Sequence, residues 1–131
     1  LSVYLLSADK GINKYIPESW KKNQPQNVMF GTSPVNQKTA NNLISQLGLV
    51  NGKRFISVEP QLDVIDLMVK MKGSDIRLID SVDWIINGGE SGSNRRPFNT
   101  EWARVLRDQC KIMAFHFSLN RLIKNYQYLK I

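Results

Sequence analysis

The fold is decided by the stretch DWIINGGESGSNRRP, residues 83–97, together with the pattern that follows it. Its short apolar run, WII, ends in two glycines, as a buried strand ends in a turn. Thr100 is then a suitable N-cap, and Glu101 falls in the first turn, where the helix dipole favours an anion. Apolar residues recur at helical spacing as far as about Met113, and the predicted apolar stripe is Trp102, Val105, Leu106, Cys110 and Met113. This stretch predicts one strand–loop–helix unit.

The same alternation extends along the whole chain. Period and composition predict strands at Ser2–Ser7, Asn27–Thr32, Lys53–Glu59, Asp83–Asn87 and Ala114–Ser118. They predict helices at Asp9–Ile16, Gln37–Leu47, Leu62–Met71, Thr100–Met113 and Leu119–Tyr128, with Glu18–Gln26 a loop or a short helix. Alternating strands and helices favour parallel strands joined by right-handed crossovers. About five such β/α units form either an open doubly wound sheet or a little more than half of an eight-fold barrel.

Length and composition predict one soluble α/β domain over residues 1–131. The chain has 131 residues, of which 42% are hydrophobic and 22% are charged. No apolar run is long enough to span a bilayer and no signal peptide is visible, so we expect no membrane partner. A single cysteine cannot form an internal disulfide, and we expect a reducing, cytoplasmic setting. The single cysteine, Cys110, is predicted to be a core residue, and no cluster of cysteines and histidines predicts a metal site.

The net charge of +7 is unevenly distributed along the sequence. Residues 95–131 contain eight Lys and Arg against two Asp and Glu, whereas residues 1–94 contain ten against nine. A basic C-terminal third is typical of a surface that contacts phosphate or nucleic acid, and also of a solvated basic face. Both interpretations stay open at this point.

Polar residues follow several of the predicted strands at the edge where ligands bind in parallel α/β folds. The candidate ligand rim consists of Glu59, Asn87, Gly88, Gly89, Glu90, Ser91, Arg95 and Arg96. Pro60 favours an extended Glu59 whose carboxylate is directed off the strand end, as an anchor for a ligand or for the next loop.

The glycine-rich loop allows two interpretations. Exposed N–H groups in a glycine turn can cradle an anion, a carboxylate can accept from an amine or a ribose hydroxyl, and guanidinium groups bind phosphate or carboxylate through paired hydrogen bonds. The loop then suits a ligand with positive and negative ends. Alternatively, the loop is a tight turn in which Glu90 forms an ion pair with Arg95 or Arg96.

Several stretches together resemble one family. They are NVMFGTSPVNQ (27–37), RFISVEPQLDVIDL (54–67), DWIINGGESGSNRRPFNTEWARVLRDQC (83–110) and the short FHF run that follows. They are similar to the C-terminal part of the phage protein family named after gene products thirty-seven and sixty-eight, which has no assigned function. The resemblance covers most of the chain from about Asn27 onward and fades after Phe117, and it implies that these residues are the C-terminal portion of a longer fold.

This resemblance implies a partial TIM-like barrel of the radical-SAM-like kind. Full-length relatives are expected to bind an iron–sulfur cluster and S-adenosylmethionine through a cysteine-bearing half. In such barrels a Gly-Gly-Glu segment contacts the amino acid end of S-adenosylmethionine, but on an earlier strand, so the role does not transfer to Gly88, Gly89 and Glu90. With Cys110 alone, this chain is expected to hold no cluster and no cofactor.

Where relatives have Thr-Lys-Arg, Val-Glu-Asn and a rim lysine, this chain has Ser7-Ala8-Asp9, Pro34-Val35-Asn36 and Ser118. These departures predict a phage-derived domain that is not catalytic alone. Two alternatives stay open. One is a nucleic-acid-binding accessory protein that uses the basic C-terminal third. The other is a self-association module that closes a barrel through an exposed sheet edge.

Overall fold

A computed structural model describes residues 2–5, 14, 16–114 and 116–119, the first and last of these ranges as backbone strands. The described strands are β1 (Ser2–Leu5), β2 (Val28–Thr32), β3 (Arg54–Val58), β4 (Trp84–Asn87) and β5 (His116–Leu119). The helices are α1 (Glu18–Lys22), α2 (Gln37–Leu47) and α3 (Thr100–Ile112), and a 3-10 turn spans Leu78–Ser81. The predicted helices at Asp9–Ile16 and Leu119–Tyr128 lie largely outside the described residues.

The strands form one parallel sheet in the order in which they occur along the chain, β1-β2-β3-β4-β5. Gly31 pairs with Phe55, and Phe55 pairs with Trp84, so these three residues form one row across the central strands. A chain that adds each new strand beside the previous one keeps its crossovers on one face if all of them are right-handed. The α/β class and the parallel sheet are confirmed by this arrangement.

Helices α2 and α3 pack on the same face of the sheet. Alternate residues of β2, β3 and β4 direct their side chains toward the helices. The shared core contains Val28, Phe30, Ile56, Val58 and Ile85 from the strands with Ala40, Ile44, Leu47, Leu106 and Cys110 from the helices. Burial of these side chains is the main force that holds the helices against the sheet.

The opposite face of the central strands carries the row Gly31, Phe55 and Trp84. The Phe55 ring, 1% exposed, lies directly over Gly31, and a Cβ built on that glycine would be 2.2 Å from Phe55 Cε1. The Phe55 and Trp84 ring centroids are 6.2 Å apart with tilted planes. Gly31 is therefore required for close packing of the aromatic ring.

The prediction of a helix at Leu62–Met71 is wrong. These residues form an extended strap between α2 and α3, because side chains of both helices take up its backbone hydrogen bonds. Gln37 of α2 accepts from Asp66 N (2.7 Å) and donates to Asp66 O (3.0 Å). Gln109 of α3 accepts from Leu67 N (2.6 Å) and donates to Ile65 O (3.0 Å). The third unit therefore has no α-helix, so five complete β/α units are not present.

The start of α3 and its apolar stripe also differ from prediction. Asn99, not Thr100, is the N-cap, and its side chain accepts from Glu101 N at 3.0 Å. Val105 is exposed, whereas Gln109 is buried because it holds the strap. The bounds predicted for α2 are confirmed, and its end is held by Gly48 N donating to Ile44 O at 2.9 Å.

Among the described residues, none of the helices has both the length and the apolar character needed to cross a bilayer.

Candidate functional site at the carboxyl edge of the sheet

The loops that follow β2, β3 and β4 are joined to one another at the carboxyl edge of the sheet. Leu62 N donates to Val35 O at 2.9 Å, which ties the strap to the loop after β2. Gln61 N donates to Gly88 O at 3.0 Å, and Gly88 N donates to Val58 O at 3.1 Å. The segment Glu59–Gln61 and the first glycine of the loop after β4 are thus adjacent, as the strand-end rule predicts.

Asn87, the last residue of β4, connects β4 to the end of β3 and to the loop that follows it. Its side chain is 0% exposed, and its amide donates to Gln61 Oε1 at 2.7 Å and to Val58 O at 3.3 Å. Gln61 in turn donates to Asp63 O at 3.0 Å. Asn87 Oδ1 is buried without a hydrogen-bond partner among the described residues. Its register with Val58 places Asn87 on the helix-facing side of the sheet, so Asn87 connects loops and does not line a ligand face.

Glu90 is bound by Arg96 through three hydrogen bonds. Arg96 Nη2 donates to Oε1 at 2.7 Å, Arg96 Nε donates to Oε2 at 2.9 Å, and the backbone N of Arg96 donates to the same Oε2 at 2.9 Å. Paired guanidinium–carboxylate contacts are strong and geometrically specific. The loop therefore closes on itself, as the tight-turn interpretation predicts.

The ion pair changes the titration of Glu90. Hydrogen bonds from the Arg96 side chain, and then from its backbone, lower the pKa of the Glu90 carboxyl from 4.5 to about 2. The same contacts raise the pKa of Arg96. Both groups therefore stay charged throughout the physiological range. A carboxylate in this state is a poor general base and has few lone-pair directions left for a ligand.

The remaining rim residues differ in their surroundings. Gly89 lies under Phe98, whose Cβ would be 3.1 Å from a Cβ built on the glycine, so the loop packs against the residue before the N-cap of α3. Ser91 and Arg95 are exposed, and within the described ranges neither makes a hydrogen bond or an ion pair. Glu59 is half-buried. The structure thus brings Glu59, Asn87 and Gly88 to one edge, whereas Arg95 faces solvent.

Cys110 does not suit an iron–sulfur cluster. It is the chain's single cysteine, its side chain is 1% exposed in the core, and burial raises the pKa of its thiol to about 12. Cluster ligands are thiolates, and a cluster takes several of them. In the described part of the chain, no group of three or more His, Cys, Asp or Glu side chains could hold a metal ion.

The arginines near the start of the basic third mostly have carboxylate partners. Arg96 binds Glu90, Arg104 binds Glu101, and Arg107 binds Asp108. These pairs reduce the positive potential that α3 and the loop before it present to solvent.

Sequence reasoning missed Gln61 and Gln109, two buried amides that hold the strap and the carboxyl edge together. Their signal is weak, because a glutamine in a polar-rich segment usually predicts a solvated surface. The position of Gln61 directly after Glu59-Pro60, at a strand end, was the one available indication.

The comparisons with known proteins identify one family. The model of a family described as "Protein of unknown function (DUF5131)" matches residues 5–124. No curated protein matches the chain. No solved structure matches it either.

Proposed function

The chain belongs to the DUF5131 family of proteins of unknown function, and from this premise we propose that it forms one wall of a parallel β/α barrel without chemistry of its own. The single observation that carries the proposal is the closed loop after β4. The carboxylate of its Gly-Gly-Glu segment already accepts three hydrogen bonds from Arg96. A rim closed in this way supports the neighbouring strands and leaves few hydrogen-bond acceptors for a substrate.

The order of the strands supports the barrel. In doubly wound sheets the strand order reverses and the helices cover both faces, whereas in barrels each strand lies beside the one before it and the helices form an outer layer. Here the order is sequential, and α2 and α3 share one face. The radical-SAM-like barrel and the kinship with the phage family of gene products thirty-seven and sixty-eight are part of this proposal.

The described residues do not fit the cofactors of that barrel type. A cluster requires several accessible thiolates, and Cys110 is single, buried and protonated. The Gly-Gly-Glu segment of this chain follows a later strand than the one expected to contact S-adenosylmethionine in such barrels, and its Glu90 is already bound by Arg96. We therefore propose that this chain binds neither group by itself.

Anaerobic reconstitution with ferrous iron and sulfide tests the proposal. After desalting, we expect no visible charge-transfer absorbance, and the iron content should equal that of a Cys110→Ser control. Iron retained by the parent chain in a fixed ratio, and lost in Cys110→Ser, would show that Cys110 is a ligand and would refute the proposal.

Of the two alternatives, self-association has the more specific support. The outer strands β1 and β5 each pair with a single neighbour in the described sheet, and an unpaired parallel edge can accept another strand. A sedimentation measurement that finds only monomer at high concentration would remove this alternative. Nucleic-acid binding stays a prediction with less support, because Arg96, Arg104 and Arg107 are paired with carboxylates.

A further inference from the structure

Three aliphatic side chains at the amino edge of the sheet, where the strands begin, are the most exposed large apolar residues in the described part of the chain. Leu49 is 75% exposed, Ile112 is 73% exposed and Ile76 is 53% exposed. Single exposed aliphatic residues are common on protein surfaces, but here the three most exposed ones lie at the same edge.

The position of Leu49 is fixed by the start of β3. It follows the C-terminus of α2, and its neighbours Gly48 and Val50 accept hydrogen bonds from Arg54 Nη1 at 3.0 and 3.3 Å. Arg54 is the first residue of β3. Leu49 is therefore held at the amino edge, away from the candidate rim.

One contact links the two segments that carry Ile76 and Ile112. Arg77 Nη2 lies 3.6 Å from the sulfur of Met113, the residue after α3. Arg77 also caps the 3-10 turn that leads into β4, through an ion pair with Asp80 at 2.9 Å. The segments that carry the two isoleucines thus meet near the start of β4.

Four exposed lysines share this edge and have no carboxylate partner among the described residues. They are Lys22, Lys53, Lys72 and Lys111. Three carboxylates nearby are already neutralised, in the pairs Glu18–Lys21, Asp75–Lys70 and Asp80–Arg77. Asp83, directly before β4, is exposed and, within the described ranges, accepts only from the backbone N of Arg54, so four unpaired lysines stand against one unpaired carboxylate. The uncompensated charge at the amino edge is therefore positive. We call the three aliphatic residues and the four lysines the amino-edge surface.

We propose that the amino-edge surface binds the headgroup layer of an anionic membrane. Protruding aliphatic side chains enter the boundary between headgroups and acyl chains, while surrounding lysines contact anionic lipid. This surface lies on a membrane and does not span it, so the proposal departs from our expectation of no membrane partner, which rested on the lack of a spanning apolar run. The proposal is independent of the barrel wall proposed above, which concerns the opposite edge of the sheet.

The composition of the surface favours lipid over other anionic partners. Lysine is depleted from protein–protein interfaces, whose energy comes from packed central anchors. Single-stranded nucleic acid is bound through aromatic stacking in addition to charge, and aliphatic side chains supply none. Exposed aliphatic residues that share one edge with unpaired lysines match a lipid headgroup layer best.

Co-sedimentation with vesicles tests this proposal on the whole chain. At low salt we expect binding to mixed phosphatidylcholine–phosphatidylserine vesicles and none to pure phosphatidylcholine vesicles. The double variant Lys72→Gln/Lys111→Gln should weaken partitioning by roughly tenfold or more. The double variant Leu49→Ser/Ile112→Ser should weaken it by a similar factor, because the aliphatic insertion is lost.

Matched controls are Lys38→Gln and Val64→Ser, at exposed positions near the carboxyl edge, and both should bind as the parent does. Three results would overturn the proposal. They are absence of binding to phosphatidylserine vesicles, equal weakening by the controls, and binding that does not change in Leu49→Ser/Ile112→Ser. If Leu49→Ser/Ile112→Ser binds vesicles as the parent does, and the parent also binds poly-glutamate or a DNA oligomer, the lysine charges alone would account for binding.

Discussion

The variant Asn87→Asp is expected to lose about 3–5 kcal/mol of folding stability at neutral pH, the range for an uncompensated buried charge. Asn87 is fully buried, and its amide donates to Val58 O and to Gln61 Oε1. An aspartate of the same shape donates nothing and places a charge against two oxygen atoms. If the Gln61 amide rotates to donate to the new carboxylate, it gives up its own hydrogen bond to Asp63 O.

The loss should depend on pH in a defined direction. Burial and the facing oxygens raise the pKa of the new carboxyl in the folded state above its unfolded value. The defect should therefore be smallest below the unfolded pKa, near 4, and should grow as the pH rises through the folded pKa. Denaturant unfolding between pH 4 and pH 8 measures this, with the exposed Asn94→Asp as the matched control. A loss of the same size at every pH would show that the charge is not buried as described.

The variant Gln109→Ala is expected to cost about 2–5 kcal/mol, because it leaves Leu67 N and Ile65 O buried without partners. Gln37 offers a matched control on the same strap. It makes the same two kinds of hydrogen bond, but to the exposed residue Asp66, where water can replace them. Gln37→Ala should therefore cost only about 0.5–1.5 kcal/mol.

Guanidinium unfolding of both glutamine variants compares the two costs directly. The structure requires the cost of Gln109→Ala to exceed that of Gln37→Ala clearly. Equal costs would mean that the strap is not held in the buried position described between α2 and α3.

Local pattern predicted the regular elements well, because each is specified by its own residues. The bounds Gln37–Leu47 of α2 follow from apolar spacing and a capping box formed by Asn36 and Thr39. The β2, β3 and β4 strands follow from short apolar runs that end at glycine or proline. These signals lie within a few residues of the structure that they specify.

The strap was missed because its partners are distant in sequence. Leu62–Met71 has loose helical spacing, but its amide groups bond to Gln37 and Gln109, 29 and 42 residues away. Asp66 also accepts from Met68 N at 2.8 Å, a local turn that competes with helix. Tertiary hydrogen bonds of this kind leave no periodic trace in the sequence.

The sequence predicted where the candidate site residues lie, but not which contacts they make. The strand-end rule brought Glu59, Asn87 and Gly88 to one edge, and it anticipated that Glu90 could pair with a neighbouring arginine. Only the geometry distinguishes Arg96, which binds Glu90, from Arg95, which is exposed. Alternate residues of a strand face the same side of a sheet, so Asn87, which pairs with Val58, faces the helices.

The most direct test of the closed rim is an NMR titration of the Glu90 carboxyl carbon in the parent chain, Arg96→Ala and Arg95→Ala. The parent should titrate at about 2, so the ion pair stabilises the loop above the ordinary pKa and is lost as the pH falls toward 2. In Arg96→Ala the pKa should return to its ordinary value of 4.5, whereas Arg95→Ala should leave it low. An ordinary pKa in the parent, or a shift caused by Arg95→Ala instead, would mean that Glu90 is free for a ligand and would contradict the closed rim.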